Sequence, residues 1–332
     1  MDSPRPVSRH FERGCNVRPQ SERLLRYRHG CIQREYFSQG PRKGAPRTPA
    51  PSPRTSRTPT RQPSVACRSP LSVCSGGMRS LAISFTPAGL LFPYYVGCGY
   101  ELQRLGVLQA ETPLGGSSAG AIVAACLACG VPEKTVRVGL AALVDDVRGG
   151  TRLNVALRRQ LEVFIQDDAP ARAEQHGLTL GYFEMLPRPG RRLVSSWVDR
   201  DDLIDCICAS SNWPFFFSRW PFVNCRGAWC LDGYFSVPRS RFGCPPLAGE
   251  RTLAITALPR VSLSAFAEDD VIQPGERYEP ALPVGESTWF NWALTPASDE
   301  QIDAMVELGR QHARRWAERE PRPRLREGSE SV

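Results

Sequence analysis

The chain has 332 residues and a formal charge of +8, enough length for one large α/β domain plus appendages. No apolar run reaches the ~18 residues that a membrane-spanning helix needs. The charge is uneven: residues 1–77 hold fifteen Arg and Lys against four acids, or +11, which leaves −3 for the rest, so the basic average describes the tail and no nucleic-acid partner is expected.

Residues 1–77 are rich in Pro, Arg and Ser, as in Pro41-Arg42-Lys43-Gly44-Ala45-Pro46. Too little apolar surface is present to offset the entropy of ordering, so disorder is expected there. Three accounts stay open: a plastid or mitochondrial transit segment, a basic segment that touches anionic lipid, or a stretch ahead of a true start at Met78. The four acids and the lack of an early amphipathic helix count against the first. No secretory signal pattern follows the N-terminus.

Residues 81–85 read as a strand, and 94–105 as a helix ending near Gly106. Residues 112–114 lead, strand-like, into Gly116-Ser117-Ser118-Ala119-Gly120. The apolar run from Ala121 to Cys129 makes 118–129 a buried helix, closed by Gly130 and Pro132. Helical spacing continues over 132–147 (Val136, Leu140, Leu143, Val144) and 153–165 (Leu157, Leu161, Phe164). Residues 192–197, 229–231 and 252–258 read as strands, and 201–209 as a helix. Residues 299–319 read as an amphipathic helix with Ile302, Met305, Val306 and Leu308 apolar. Alternating strands and helices imply an α/β fold with a mainly parallel sheet.

Gly-x-Ser-x-Gly is common by chance, but its place between a strand and a buried helix points to a nucleophile at Ser118. A tight turn presents the hydroxyl, and the helix N-terminus behind it supplies partial positive charge where an oxyanion would form. The base is harder to find. His10 and His29 lie in the tail, His176 in a segment that reads as a surface loop, and His312 on what reads as a solvated helix face. None occupies a strand-end loop of the kind a triad histidine needs. Asp232 is the carboxylate candidate, because the strand Trp229-Cys230-Leu231 runs into it and Gly233 turns the chain. Desolvation at a strand end would let it accept a proton from serine. An ordinary Asp-Gly turn is the competing reading.

Ser118 and Asp232 in this order resemble the serine–aspartate dyad of patatin-like phospholipases. Leu81-Ala82-Ile83-Ser84-Phe85-Thr86-Pro87-Ala88-Gly89 is similar to that family's first strand and oxyanion loop. Residues 194–204 and Ala209-Ser210-Ser211-Asn212-Trp213-Pro214 resemble its adipose triglyceride lipase branch. The resemblance runs from about Ser80 to Leu258, and the C-terminal part looks like eukaryotic members of the branch. It implies a three-layer α/β/α fold with a nucleophile elbow formed by Gly116, Ser118 and Gly120. It also implies an oxyanion hole from the amides of Ala88, Gly89 and Ala119, and an aspartate turn ending in Gly233. The family's usual Gly-Gly-Gly-x-Arg/Lys-Gly loop is replaced here by Pro87-Ala88-Gly89-Leu90-Leu91-Phe92. Pro87 has no amide hydrogen, Leu91 replaces the basic residue, and Ala88 tolerates positive φ poorly, so a reshaped loop is expected. Tyr234 stands where a second small residue is usual.

Twelve cysteines are present. Cys126 and Cys129 have metal spacing but lie in the buried helix without a second pair nearby. Cys206 and Cys208 suit neither metal nor disulfide, and Cys225, Cys230 and Cys244 are scattered. No metal, disulfide or cofactor is expected. The aromatic stretch from Trp213 to Phe222 reads as core or pocket wall, with a membrane-facing rim as the alternative.

The expected organisation is a tail over 1–77, a catalytic domain over 78–260, a helical extension over 261–320 and a disordered end over 321–332. By the resemblance, the chain is a lipid acyl hydrolase acting on glycerolipid esters at a membrane or lipid-droplet surface. The expected location is the cytoplasm with peripheral lipid attachment, or a plastid or mitochondrion if 1–77 is a transit segment. Two alternatives remain: a fold-retaining lipid-surface binding protein without turnover, and a Ser118–Asp232–His312 triad hydrolase.

Overall fold

A computed structural model describes residues 80–275 and 280–320, all within the unit Ser72–Val332. The expectations for residues 1–77 and 321–332, with His10 and His29, lie outside the described residues. Strand β1 (Leu81–Phe85) is buried on both faces after its first residue, as a central parallel strand must be. It pairs in parallel with β2 (Leu114–Gly116) on one side and β7 (Arg251–Ile255) on the other. Beyond β7 lies β8 (Val271–Ile272), also parallel. Beyond β2 the parallel β3 (Thr179–Leu186) begins a different regime. β4 (Gly190–Val194) and β6 (Ala228–Leu231) pair with β3 antiparallel, and β5 (Val223–Cys225) pairs with β6 antiparallel. The result is one mixed, mostly parallel sheet in the order β5-β6-β3-β2-β1-β7-β8, with β4 paired to β3 off that path.

Helices flank this sheet. α1 (Phe92–Arg104) follows β1, and α2 (Ala119–Ala128) follows β2. α2 is apolar almost all round and buried along nearly its whole length, as befits a helix packed on every side. α3 (Glu133–Arg148) and α4 (Leu153–Phe164) each bury one stripe. The short α5 (Ala169–Gln175) leads into β3, and α6 (Arg200–Ser210) links β4 to β5. At the C-terminal end are α7 (Glu286–Trp292) and α8 (Asp299–Arg319). Ser298 and Gln301 close a capping box at the start of α8.

α8 lies along α1. A Cβ on Gly97 would come within 2.0 Å of the Val306 carbonyl oxygen, and one on Gly309 within 2.2 Å of that of Tyr94. The two helix backbones therefore meet where neither has a side chain. Trp289, Trp292 and Trp316 join the core that also holds Ile83 and Phe85, so the part expected as a C-terminal extension packs into the same core as the strands.

His312 corrects an expectation. Its helix face is not solvated: the ring is fully buried. One ring nitrogen (Nδ1) meets the Tyr94 hydroxyl at 2.7 Å, and the other (Nε2) meets the Pro280 carbonyl at 2.9 Å. His176, expected in a surface loop, ends α5 with Nδ1 2.9 Å from the Thr112 carbonyl oxygen.

Candidate active site

The elbow forms where β2 meets α2. Ser118 has φ +56° and ψ −128°, a backbone conformation that a non-glycine residue holds only under constraint. The constraint is visible. Its amide donates to both the carbonyl (3.1 Å) and the hydroxyl (3.0 Å) of Ser210 at the end of α6, and the Ser210 hydroxyl donates to the Gly181 carbonyl in β3 at 2.6 Å. Next to it, the Ser117 hydroxyl donates to the Gly243 carbonyl at 2.6 Å. The motif glycines permit close approach: a Cβ on Gly116 would lie 2.4 Å from the Gly120 carbonyl oxygen, and one on Gly120 would lie 2.3 Å from that of Phe85.

Asp232 ends β6 and is fully buried. Its amide donates to the Asn212 carbonyl at 3.0 Å, so the segment just after α6 grips both the elbow and the aspartate. Oδ1 accepts from the Tyr234 amide at 2.8 Å, the local turn that the simpler sequence reading foresaw. Gly233 permits the turn to sit against the sheet, since a Cβ there would be 2.3 Å from the Gly181 carbonyl oxygen and 2.6 Å from the Ser117 side chain. Oδ2 is buried and has no partner in hydrogen-bond geometry among the described residues. Burial pushes the Asp232 carboxyl up to about 7, against the opposing pull of the Tyr234 amide and the nearby Ser118 hydroxyl. The Ser118 hydroxyl is thus near enough to act on the Asp232 carboxyl, although its approach to Oδ2 falls outside hydrogen-bond geometry.

The loop after β1 keeps two amide donors, at Ala88 and Gly89. Ala88 has φ −153°, so positive φ falls on Gly89 at +57°. The expected strain at Ala88 is absent because glycine takes the left-handed position. The loop is pinned to the end of α7, where the Leu90 amide donates to the Ala293 carbonyl at 2.9 Å. The amides of Ala88, Gly89 and Ala119 donate to no group among the described residues. Pro87, which has no amide hydrogen to offer, packs so closely on Gly243 that a Cβ there would lie 2.5 Å from its ring.

Ser118 opens into a cavity of about 500 Å³ whose wall includes Ala88, Gly89, Ile122, Leu157, Phe217 and Leu294. Its lining is almost wholly apolar, with Ser118, Ser211 and Tyr234 the polar exceptions. That volume lies within the range of small-molecule sites. The aromatic stretch divides here: Trp213, Phe216 and Phe217 line the cavity, whereas Phe215 and Trp220 are exposed.

The proposed third member of a triad is not at this site. Both ring nitrogens of His312 are engaged in the α1–α8 seam, and burial lowers its pKa. Among the described residues no group of His, Cys, Asp or Glu has the geometry to hold a metal ion. The cysteines are less scattered than their spacing suggested, for Cys206 and Cys225 bring their sulfurs to 3.8 Å. No described helix is long and apolar enough to cross a membrane.

Sequence reasoning named Ser118 and Asp232 but gave no role to Ser117, Ser210 or Asn212. The stretch Ala209-Ser210-Ser211-Asn212 at the end of a helix was the available signal. Residues 88–240 match the family model for patatin-like phospholipase, a stretch that runs from the loop through the elbow to the aspartate turn. No curated protein matches the sequence. Among solved structures the chain is similar to VipD from Legionella pneumophila, at 13% identity and a TM-score of 0.45 over 72% of this chain and 67% of that one. It is also similar to the type III effector protein ExoU, at 12% identity and a TM-score of 0.37 over 72% of this chain and 53% of that one.

Proposed function

We propose that this protein is a lipid acyl hydrolase that cleaves carboxylic esters of glycerolipids through a Ser118–Asp232 dyad. Asp232 Oδ2 takes the proton of the Ser118 hydroxyl, and Oγ attacks the ester carbonyl carbon. The oxyanion is met by the amides of Ala88, Gly89 and Ala119 at the start of α2, where the helix dipole also favours negative charge. The tetrahedral species collapses to an acyl-enzyme as the alcohol leaves with the proton from Asp232. Water, deprotonated by the same carboxylate, then releases the fatty acid and restores Ser118. No histidine, metal or cofactor takes part.

The observation that carries this reading is the open, buried Oδ2 beside Ser118, on an elbow under an apolar cavity. The patatin-like match over residues 88–240 supports lipid as the substrate class. The likeness of residues 194–204 and 209–214 to the adipose triglyceride lipase branch supports glycerolipids and a membrane or lipid-droplet surface. A cytoplasmic location with peripheral lipid attachment fits this reading, with a plastid or mitochondrion if residues 1–77 form a transit segment.

The test is fatty-acid release from triacylglycerol emulsions and from phosphatidylcholine vesicles, read by mass spectrometry on wild type and Ser118→Ala. Release by wild type alone is expected. Equal release by both proteins, or none by either, sinks the reading. Pro87 favours one second reading, lipid-surface binding without turnover, because removal of one oxyanion donor typically costs about 10²–10³ in rate.

A further inference from the structure

Some exposed large apolar residues are aliphatic side chains on helix surfaces, such as Val138 and Val163, and isolated cases of this kind are normal. The mouth of the cavity over Ser118 is different. Trp213 is exposed there while also lining the cavity. Its ring stacks on exposed Phe235 at 5.6 Å between centroids. Phe290 and Leu294, from the end of α7, are likewise both exposed and cavity-lining. The wall of the cavity therefore continues outward as apolar surface.

Two further aromatics lie in the same loop without lining the cavity. Phe215 is 69% exposed and Trp220 is 72% exposed. Phe215 holds φ +62°, a left-handed conformation that is a true outlier for a bulky side chain. A ring held outward on strained backbone gains little from its own fold. Arg219, also exposed, stands next to Trp220, and aromatic rings with an adjacent cation suit the headgroup level of a lipid layer.

We propose that the lip formed by Trp213, Phe215, Trp220, Phe235, Phe290 and Leu294 is the face that docks on a lipid–water interface, with Phe215 and Trp220 inserting into it. The inference deepens the lipid-hydrolase reading and rests on it for its purpose: an acyl chain passes from the lipid layer into the cavity without crossing water. Insertion is driven by apolar burial rather than by charge, so it survives high salt, unlike attraction between the basic residues 1–77 and anionic lipid.

The test is flotation of the full chain with phosphatidylcholine vesicles in about 0.5 M salt, where electrostatic attraction is screened. Wild type and Ser118→Ala should float alike. Phe215→Asn should weaken binding about tenfold, as loss of one buried aromatic implies, and adding Trp220→Ser should weaken it further. Asparagine tolerates left-handed φ, so Phe215→Asn should melt no lower than wild type, which separates docking from a packing role. Val163→Ser should bind as wild type does.

Failure of wild type to float, or equal flotation by the double variant, overturns the proposal. So does a concentration-dependent dimer that the double variant abolishes, because the lip then covers a second copy of the chain. Aromatic-dependent flotation without ester hydrolysis leaves the docking face standing and removes the catalytic reading. Hydrolysis of a soluble ester without flotation does the reverse.

Discussion

Asp232 and His312 are both titratable and both fully buried, yet their surroundings differ in kind. In the α1–α8 seam both nitrogens of His312 meet partners. At the strand ends Asp232 has one oxygen paired and one buried without a partner in hydrogen-bond geometry among the described residues. Buried polar groups are normally satisfied, so a satisfied one belongs to the architecture. In the proposed mechanism, the unsatisfied oxygen of Asp232 beside Ser118 is the one that takes the proton. Burial alone does not distinguish the two, but the hydrogen-bond inventory does.

The largest expected effect separates these residues directly. Asp232→Asn should lower hydrolysis of a soluble short-chain ester by about 10³-fold or more, as loss of a catalytic base usually does. His312→Asn should keep the wild-type rate in folded protein and lower the melting temperature, since its neighbours lose buried partners. A loss of rate in folded His312→Asn would break the comparison.

pH sharpens it. With the Asp232 carboxyl raised to about 7, kcat/KM on the same ester should fall about tenfold per unit below that value, because the base must be ionised. The stability effect has the opposite sense. The folded pKa exceeds the unfolded value of about 3.9, so the stability this raised pKa contributes is fully present below pH ~4 and is lost as pH rises to about 7. Asp232→Asn should therefore gain melting temperature relative to wild type at pH 8 compared with pH 5. His312 slopes the other way. Its pKa is depressed by burial, so its destabilising effect grows as pH falls below the unfolded value of about 6.5. Identical pH dependence of melting in wild type and both variants would contradict this assignment.

Smaller effects are expected around the site. Pro87→Gly should raise kcat several-fold by restoring an amide donor. An unchanged or lower kcat would mean that Ala88, Gly89 and Ala119 already suffice and that the proline stiffens the loop against Gly243. Ser210→Ala removes one of two acceptors of the Ser118 amide and the tie to Gly181. Its kcat should fall about tenfold or less with KM little changed, as steady-state kinetics would show.

Much of the fold was legible in residues whose pattern matches their setting. The continuous apolar run after Ser118 is a buried helix, and α8 occupies the bounds its periodicity gave. β3 was not legible, although it joins the parallel and antiparallel halves of the sheet. Gly181 and Glu184 interrupt its apolar pattern, and both have tertiary reasons to be there. The Gly181 carbonyl accepts from Ser210, and Glu184 pairs with Arg192 at 2.6 Å. His312 was misread for a related cause. Its charged neighbours Arg314 and Arg315 suggested solvent, whereas the partner that buries it, α1, lies over two hundred residues earlier in the chain. At the site, Ser118 and Asp232 could be found because each sits on a short local motif. The grip of Ser210 and Asn212 on both is made by main-chain and hydroxyl contacts across the fold, which no local pattern encodes.

The most direct test of the histidine-free dyad is the rate at which a fluorophosphonate probe modifies the purified full chain, with the adduct mapped by mass spectrometry. A single adduct on Ser118 is expected, formed at the wild-type rate in His312→Asn and at least about 10³-fold more slowly in Asp232→Asn. No adduct in wild type, or labelling of Ser118 in Asp232→Asn as fast as in wild type, would contradict the account.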